Sequence, residues 1–417
     1  SVAETRLSSI DGEAGELLIG GVPVEELAAN ATYEETVFLL LNDRLPTVEE
    51  LKAFRSALAS HRAIGEETRA VLRRAANEET PPMDALRMGL SAASLGVEDE
   101  TTQTAVRRVI AVVPTIVSTY WRYREDNDPI APRSDLRHAE NYLYMMTGDE
   151  PTQAAVRGLE TYLNTVVDHG LNALTFTARV VVSAESDVVS AATAAVGTLK
   201  GPLHGGAPGP VLEMLEEVFE TGGPEAYVRA KLDAGERLMG FGHRVYRVRD
   251  PRAEVLSTAA EQFYDAGGDA EFFAATKTFE DVATDLLAEH KPQRRLETNV
   301  EFYTAVLLAG VGVPKELFTT TFAVARVGGW MAHALRQPPC FPPLRVPTVR
   351  RSSSSKNSSE YHDGPAEHED GEDTGADGQQ DTVRAANDDE NNRCSSPFWW
   401  TSLEEFRGEN RDDDTSG

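Results

Sequence analysis

Gly201-Pro202-Leu203-His204-Gly205-Gly206-Ala207 and, further along, Gly240-Phe241-Gly242-His243-Arg244-Val245-Tyr246-Arg247 are the stretches on which the reading of this chain turns. They place two of only nine histidines in short glycine-flanked segments at helix boundaries. An imidazole held that way faces a ligand across close-packed backbone and can move protons near neutral pH. One Gly-His turn alone reads more readily as a plain loop. Two in order, with His169 upstream in Asp168-His169-Gly170 and Glu301 downstream, make a stronger signal than either alone. His169, His204 and His243 are also a possible zinc set by residue type, but their wide spacing lacks a compact metal motif, so no metal is expected.

The 417 residues allow two or three domains with a large core. No apolar run approaches the ~18 residues of a membrane span, and the opening Ser1-Val2-Ala3-Glu4-Thr5 shows no secretion signal. The two cysteines, Cys340 and Cys394, both fall near the C-terminus. The rest of the chain thus has no disulfide or cysteine metal site, which fits a reducing cytoplasm. Acidic residues outnumber basic ones 68 to 40, a net charge of −28. That balance excludes nucleic acid as an expected partner. With only seven lysines among the basic residues, the acidic surface reads as adaptation to concentrated salt; an ordinary acidic cytoplasmic enzyme is the plainer alternative.

Outside the first twenty residues, where Ile10-Asp11-Gly12 and Gly20-Gly21 punctuate a hairpin, the pattern is helical. Thr32 with Glu35, and Thr47 with Glu50, have capping-box spacing. Pro82 suits a helix's first turn. A longer helix is expected from about Thr101 to Arg124, kinked at Pro114. From Thr152 to Leu199 the chain is rich in Ala, Val, Thr and Ser, which predicts helices buried in a core or, as the sharper reading, at a homodimer interface. Residues 201–303 are more charged and turn-rich, and 304–337 return to the apolar helical style. The expectation is a large helical domain over 1–200, a small domain over 201–303 and a return over 304–337. Residues 338–417 form a Pro-, Ser- and acid-rich tail that cannot bury enough apolar surface to fold.

Several ordered segments resemble citrate synthase, closest to the short prokaryotic type. Besides the two histidine stretches they are Asp168-His169-Gly170-Leu171-Asn172-Ala173 leading into Thr175-Phe176-Thr177-Ala178-Arg179, His138-Ala139-Glu140-Asn141-Tyr142-Leu143-Tyr144-Met145, and Thr298-Asn299-Val300-Glu301-Phe302-Tyr303. The resemblance covers roughly Val2 to Gln337 and implies a mostly α-helical homodimer, a multi-helical large domain with a smaller inserted helical domain, and substrates in the cleft between them. It implies condensation of acetyl-CoA with oxaloacetate and water to citrate and CoA, the entry step of the tricarboxylic acid cycle. No cofactor is permanently bound, no metal takes part, and neither membrane nor nucleic acid is a partner.

Removing a proton from a thioester methyl needs a carboxylate base, and the enolate needs a donor at its oxygen. The resemblance assigns the base to Glu301, the enolate donor to His204 and the donor to the oxaloacetate carbonyl to His243. It assigns oxaloacetate binding to His169, Arg252 and Arg326; guanidinium forks suit its carboxylates. It assigns CoA binding to Arg237, Leu238, Met239, Gly240, Phe241 and Gly242, with Arg237 toward phosphate. Blander alternatives are surface ion pairs for both arginines and an ordinary helix-start acid for Glu301.

Three departures stand out. Most relatives carry Pro-Asn-Val-Asp where this chain has Thr298-Asn299-Val300-Glu301, so the base reaches about one carbon–carbon bond further. The chain begins almost inside the first recognisable segment, as if a short N-terminal piece were absent. Finally, the segment with which relatives supply an arginine to the partner subunit's site is replaced by Gln337-Pro338-Pro339-Cys340-Phe341-Pro342. Arg345, Arg350 and Arg351 stand in no matching motif. The abrupt change reads as a frameshifted end, which should leave no peptides from residues 360–400 in the native protein. Two rivals follow: 2-methylcitrate synthase, which takes propionyl-CoA, and a non-catalytic helical binding dimer of the same fold.

Overall fold

The computed structural model describes residues 4–98, 100–201, 208–221, 223–242, 250–293 and 296–337. Among the described residues, strands occur only at the start of the chain. β1 (Ser8–Asp11) runs antiparallel to β2 (Glu16–Ile19), with Ser8 opposite Ile19 and Asp11 opposite Glu16. The Asp11 carboxylate closes their turn by accepting the amides of Glu13 and Ala14, both at 2.9 Å. The expected hairpin gains a third strand, β3 (Val22–Pro23), paired to β2.

Among the described residues every later element is helical. α1 (Val24–Asn30), α2 (Tyr33–Asn42) and α3 (Val48–Ser60) come first, and both capping boxes form. Thr32 accepts the Glu35 amide at 3.3 Å while Glu35 takes the Thr32 amide at 2.8 Å. Thr47 and Glu50 do the same at 3.3 and 2.9 Å, satisfying amides that a helix start otherwise leaves orphaned. α4 (Glu66–Asn77) and α5 (Pro82–Ala92) follow, with Pro82 in the first turn. α6 (Thr102–Arg124) continues unbroken through Pro114, the expected kink, where the Ser118 hydroxyl donates to the Pro114 carbonyl at 2.9 Å.

Then come α7 (His138–Thr147), α8 (Gln153–Val166), α9 (Ala173–Ser183), α10 (Val188–Leu199), α11 (Pro208–Thr221) and α12 (Pro224–Asp233). The described residues end with α13 (Pro251–Asp265), α14 (Ala270–His290), α15 (Val300–Gly310) and α16 (Phe318–Leu335). None of these helices is long and apolar enough to cross a membrane.

α8 is the centre of the arrangement that matters here. It packs on α13, α15 and α16, and every residue from Leu159 to Val166 is buried. Gly158 permits close approach, since a Cβ there would meet Val311 at 3.0 Å and Leu307 at 3.1 Å. Truncating a side chain in such a position, as in Leu159→Ala, typically costs about 2–5 kcal/mol. α9 and α10 pack on each other but leave part of their apolar surface uncovered, including Val180 at 37% exposure. Ser1–Phe341 cluster as one unit. The expected tail, residues 338–417, lies outside the described residues.

Candidate active site

Where α8 ends, Val167, Asp168, His169 and Gly170 turn the chain toward α9, with Gly170 at φ +79°. Asp168 is fully buried. Its carboxylate accepts the Ser8 hydroxyl at 2.6 Å, the Gly170 amide at 3.3 Å and the His333 Nε2–H at 3.1 Å. Burial opposes its ionisation, but the His333 hydrogen bond and charge, the Ser8 hydroxyl and Arg326 outweigh that and hold it below the usual carboxylate range. This turn presents half-buried His169.

Arg326 lies on α16 with 2% exposure. Its Nε donates to the Val166 carbonyl at 2.5 Å, and its guanidinium sits 4.5 Å over the Phe322 ring. Burial draws its pKa down to about 10, against the pull of Asp168, so it remains a cation at neutral pH. Arg252 is also buried, at 4% exposure, in the first turn of α13. Asp250 is the N-cap of that helix: its Oδ1 accepts both the Arg252 amide and Nε at 3.0 Å, and its Oδ2 accepts Nη2 at 2.9 Å. One carboxylate thus caps the helix and fixes the guanidinium plane. The surface ion-pair alternative fails for both arginines, because neither is at the surface.

Glu301 occupies the first turn of α15 and is half-buried. Desolvation pushes its carboxyl from the ordinary 4.5 up to about 7; Arg252 and Arg326 pull the other way, while Asp250 adds to the rise. A helix-start acid stabilised by the macrodipole would shift downward, so burial wins here. The backbone around Glu301 is stitched to the 237–242 segment. Asn299 donates its amide to the Gly240 carbonyl at 2.9 Å and its side-chain Nδ2 to the Gly242 carbonyl at 2.8 Å. Its Oδ1 accepts the Glu301 amide at 2.9 Å. The Gly242 amide donates to the Glu297 carbonyl at 2.8 Å, and Phe241 bridges to Thr298. Gly240 needs its positive φ of +83°, and a Cβ there would press on Phe302 at 3.0 Å. Within this segment Leu238 is buried, Met239 and Phe241 are partly so, and Arg237 is exposed.

Arg252, Arg326 and Glu301 are therefore brought into one electrostatic neighbourhood from the starts of α13 and α15 and the body of α16. His169 stands three residues from the carbonyl that anchors Arg326. His204 and His243 lie outside the described residues, as do Arg345, Arg350 and Arg351. Among the described residues no group of three or more His, Cys, Asp or Glu is arranged to hold a metal ion. Sequence reasoning missed three supporting residues. Asp250 and Asn299 each carried a signal, a capping side chain at a helix start. His333 carried none, because its bond to Asp168 spans 165 positions.

The site thus joins a carboxyl pushed up to about 7 with two buried guanidinium groups that act on it, in a helical frame. The citrate synthase C-terminal domain model matches residues 1–339. Citrate synthase of Haloferax volcanii is 41% identical over 346 residues, 81% of this chain and 89% of that protein. The crystal structure of citrate synthase from Pyrobaculum aerophilum superposes with a TM-score of 0.73 at 35% identity, covering 85% of this chain and 92% of that one. A further match is the ternary complex of citrate synthase from Thermoplasma acidophilum. That complex, of carboxymethyl coenzyme A and oxaloacetate, gives a TM-score of 0.73 at 27% identity, covering 87% and 96%. The chain belongs to the citrate synthase family, and with it to the acyl-transferring enzymes.

Proposed function

We propose that this chain joins the methyl carbon of acetyl-CoA to the ketone carbon of oxaloacetate and hydrolyses the resulting thioester to citrate and CoA. The observation that carries the reading is Glu301, its carboxyl pushed up to about 7 beside Arg252 and Arg326. A base of that pKa is half ionised at neutral pH and strong enough to act there. Glu301 takes a methyl proton, and the enolate carbon attacks the ketone carbon of oxaloacetate. Arg252, Arg326 and His169 hold the dicarboxylate, His204 donates to the enolate oxygen, and His243 protonates the new alkoxide. Water then cleaves the thioester, releasing CoA.

The ternary complex of the Thermoplasma acidophilum relative holds a CoA derivative with oxaloacetate, which supports both substrates here. The segment 237–242 is the proposed CoA site. We retain the large and inserted small domains, whose closure would exclude water from the enolate. The uncovered apolar surface of α9 and α10 supports a homodimer. A cytoplasmic setting, a place at the entry of the tricarboxylic acid cycle and salt adaptation of the −28 surface complete the proposal.

The test is thiol release from acetyl-CoA with and without oxaloacetate, in dilute buffer and in ~2 M KCl, where charge repulsion is screened within a few ångströms. Oxaloacetate-dependent release is expected, greater in salt. Its absence from folded protein in both buffers would sink the catalytic reading and favour the non-catalytic binding dimer. Propionyl-CoA in the same assay separates the 2-methylcitrate reaction, since one methylene is worth about 1–3 kcal/mol.

A further inference from the structure

We infer that Glu280 is a positioning residue for the catalytic carboxylate, acting through Thr298 and Tyr303 on either side of it. This rests on the function proposed above. Glu280 lies on α14, is 9% exposed, and has no part in the substrate contacts proposed for the reaction. Its Oε1 accepts the hydroxyl of buried Thr298 at 2.8 Å. Its Oε2 accepts the Tyr303 hydroxyl and, at 2.8 Å, the Lys277 ammonium. Lys277 also donates to the Tyr303 oxygen at 2.9 Å.

One carboxylate thus grips the chain three residues before Glu301 and two residues after it. The turn between those grips contains the Asn299 cap and the Glu301 amide bonded to it. Thr298 is also the residue that bridges to Phe241, so the same grip holds the proposed CoA segment against the base. Tyr303 further engages Ser257 on α13, the helix whose first turn carries Arg252. Lys277 neutralises Glu280, and burial of Glu280 is outweighed by its Lys277, Tyr303 and Thr298 hydrogen bonds, so its carboxyl stays below the usual range. A buried charge held by three donors has a fixed geometry. Displacing a reacting group by about 1 Å costs roughly 100-fold, so a device that fixes this turn controls the rate.

Two variants test it: Glu280→Gln, which keeps shape and loses charge, and Thr298→Val, which removes one hydroxyl and little else. With both folded by circular dichroism, kcat should fall about 10–100-fold for the first and about 3–10-fold for the second. KM for oxaloacetate should stay within about twofold, because Asp250 holds the Arg252 guanidinium and the Val166 carbonyl holds Arg326, neither through Glu280. The acid limb of the kcat–pH profile should move by about half a unit as the surroundings of Glu301 change. Thr298→Ser should restore the parent rate. Wild-type kcat and pH profile in both variants, with only a lowered Tm, would overturn the inference while leaving the proposed function standing. Wild-type protein that releases no thiol with oxaloacetate would take both down together.

Discussion

At the end of α8 the site is held mainly by side chains, whereas at the junction of residues 240–242 with 297–301 the direct contact is a backbone one, steadied by the Asn299 and Glu280 side chains. The first region is Asp168, Ser8, His333 and Arg326, drawn from widely separated parts of the sequence and fully or nearly fully buried. The second is a ladder of amide and carbonyl groups around two positive-φ glycines, with a half-buried carboxylate at its edge. The contrast matches what the proposed function asks of each end. Holding a dianion needs a guanidinium that stays charged and does not move, hence dense paired polar contacts. Taking a proton needs a carboxylate whose charged form is disfavoured, which partial burial and few donors provide.

The largest expected effect lies at the second region. Glu301→Gln should lower kcat by about 10²–10⁴-fold, the usual worth of a positioned base, and in the wild type kcat should rise with pH through about 7. The stability effect has the opposite sign. The folded pKa is raised, so the unfolded chain ionises first, and the cost to the fold grows from pH 4.5 and is complete above about 7. The variant escapes that cost. Urea unfolding at pH 8 should find it about 1–3 kcal/mol more stable than the parent, with the gain vanishing below pH 4.5. A variant less stable than the parent at pH 8 would show that the backbone-held region does not disfavour the ionised carboxylate.

A smaller effect is expected at the side-chain-held region. Arg326→Lys keeps the charge but loses the planar fork and the Nε bond to the Val166 carbonyl. KM for oxaloacetate should rise about 10–100-fold, the value of a charged hydrogen bond at ~1.5–3 kcal/mol, with kcat changed much less. An unchanged KM would remove Arg326 from the dicarboxylate and leave it a purely structural cation.

The same contrast governs what could be read in advance. Local devices were legible: the Thr32–Glu35 and Thr47–Glu50 boxes, Pro82 in a first turn, and the helix through Pro114 all depend on residues within a few positions of one another. The assignments of Arg252, Arg326 and Glu301 came from family segments, and the structure adds that the three share one neighbourhood. Residues that hold them in place were not legible. Ser8 to Asp168 spans 160 positions, and Glu280 reaches Thr298 from another helix. Side-chain pairs between distant elements leave no period in the sequence, so only tertiary packing reveals them.

The smallest effect probes the ladder itself. Gly240→Ala forces a residue with a Cβ into φ +83° and pushes that Cβ to 3.0 Å from Phe302 and 3.2 Å from Val211. Such strain costs about 1–3 kcal/mol, measurable by urea unfolding. Its functional part should fall on one substrate. The Gly240 carbonyl accepts the Asn299 amide, so a shift there disturbs the proposed CoA segment and the cap of Glu301 together, while the Asp168–Arg326 contacts are untouched. KM for acetyl-CoA should therefore rise about 3–10-fold, as about 1 kcal/mol of lost binding predicts, with KM for oxaloacetate unchanged. Equal rises in both constants would mean that the two regions move as one body, and the division between a backbone-held and a side-chain-held end would not survive.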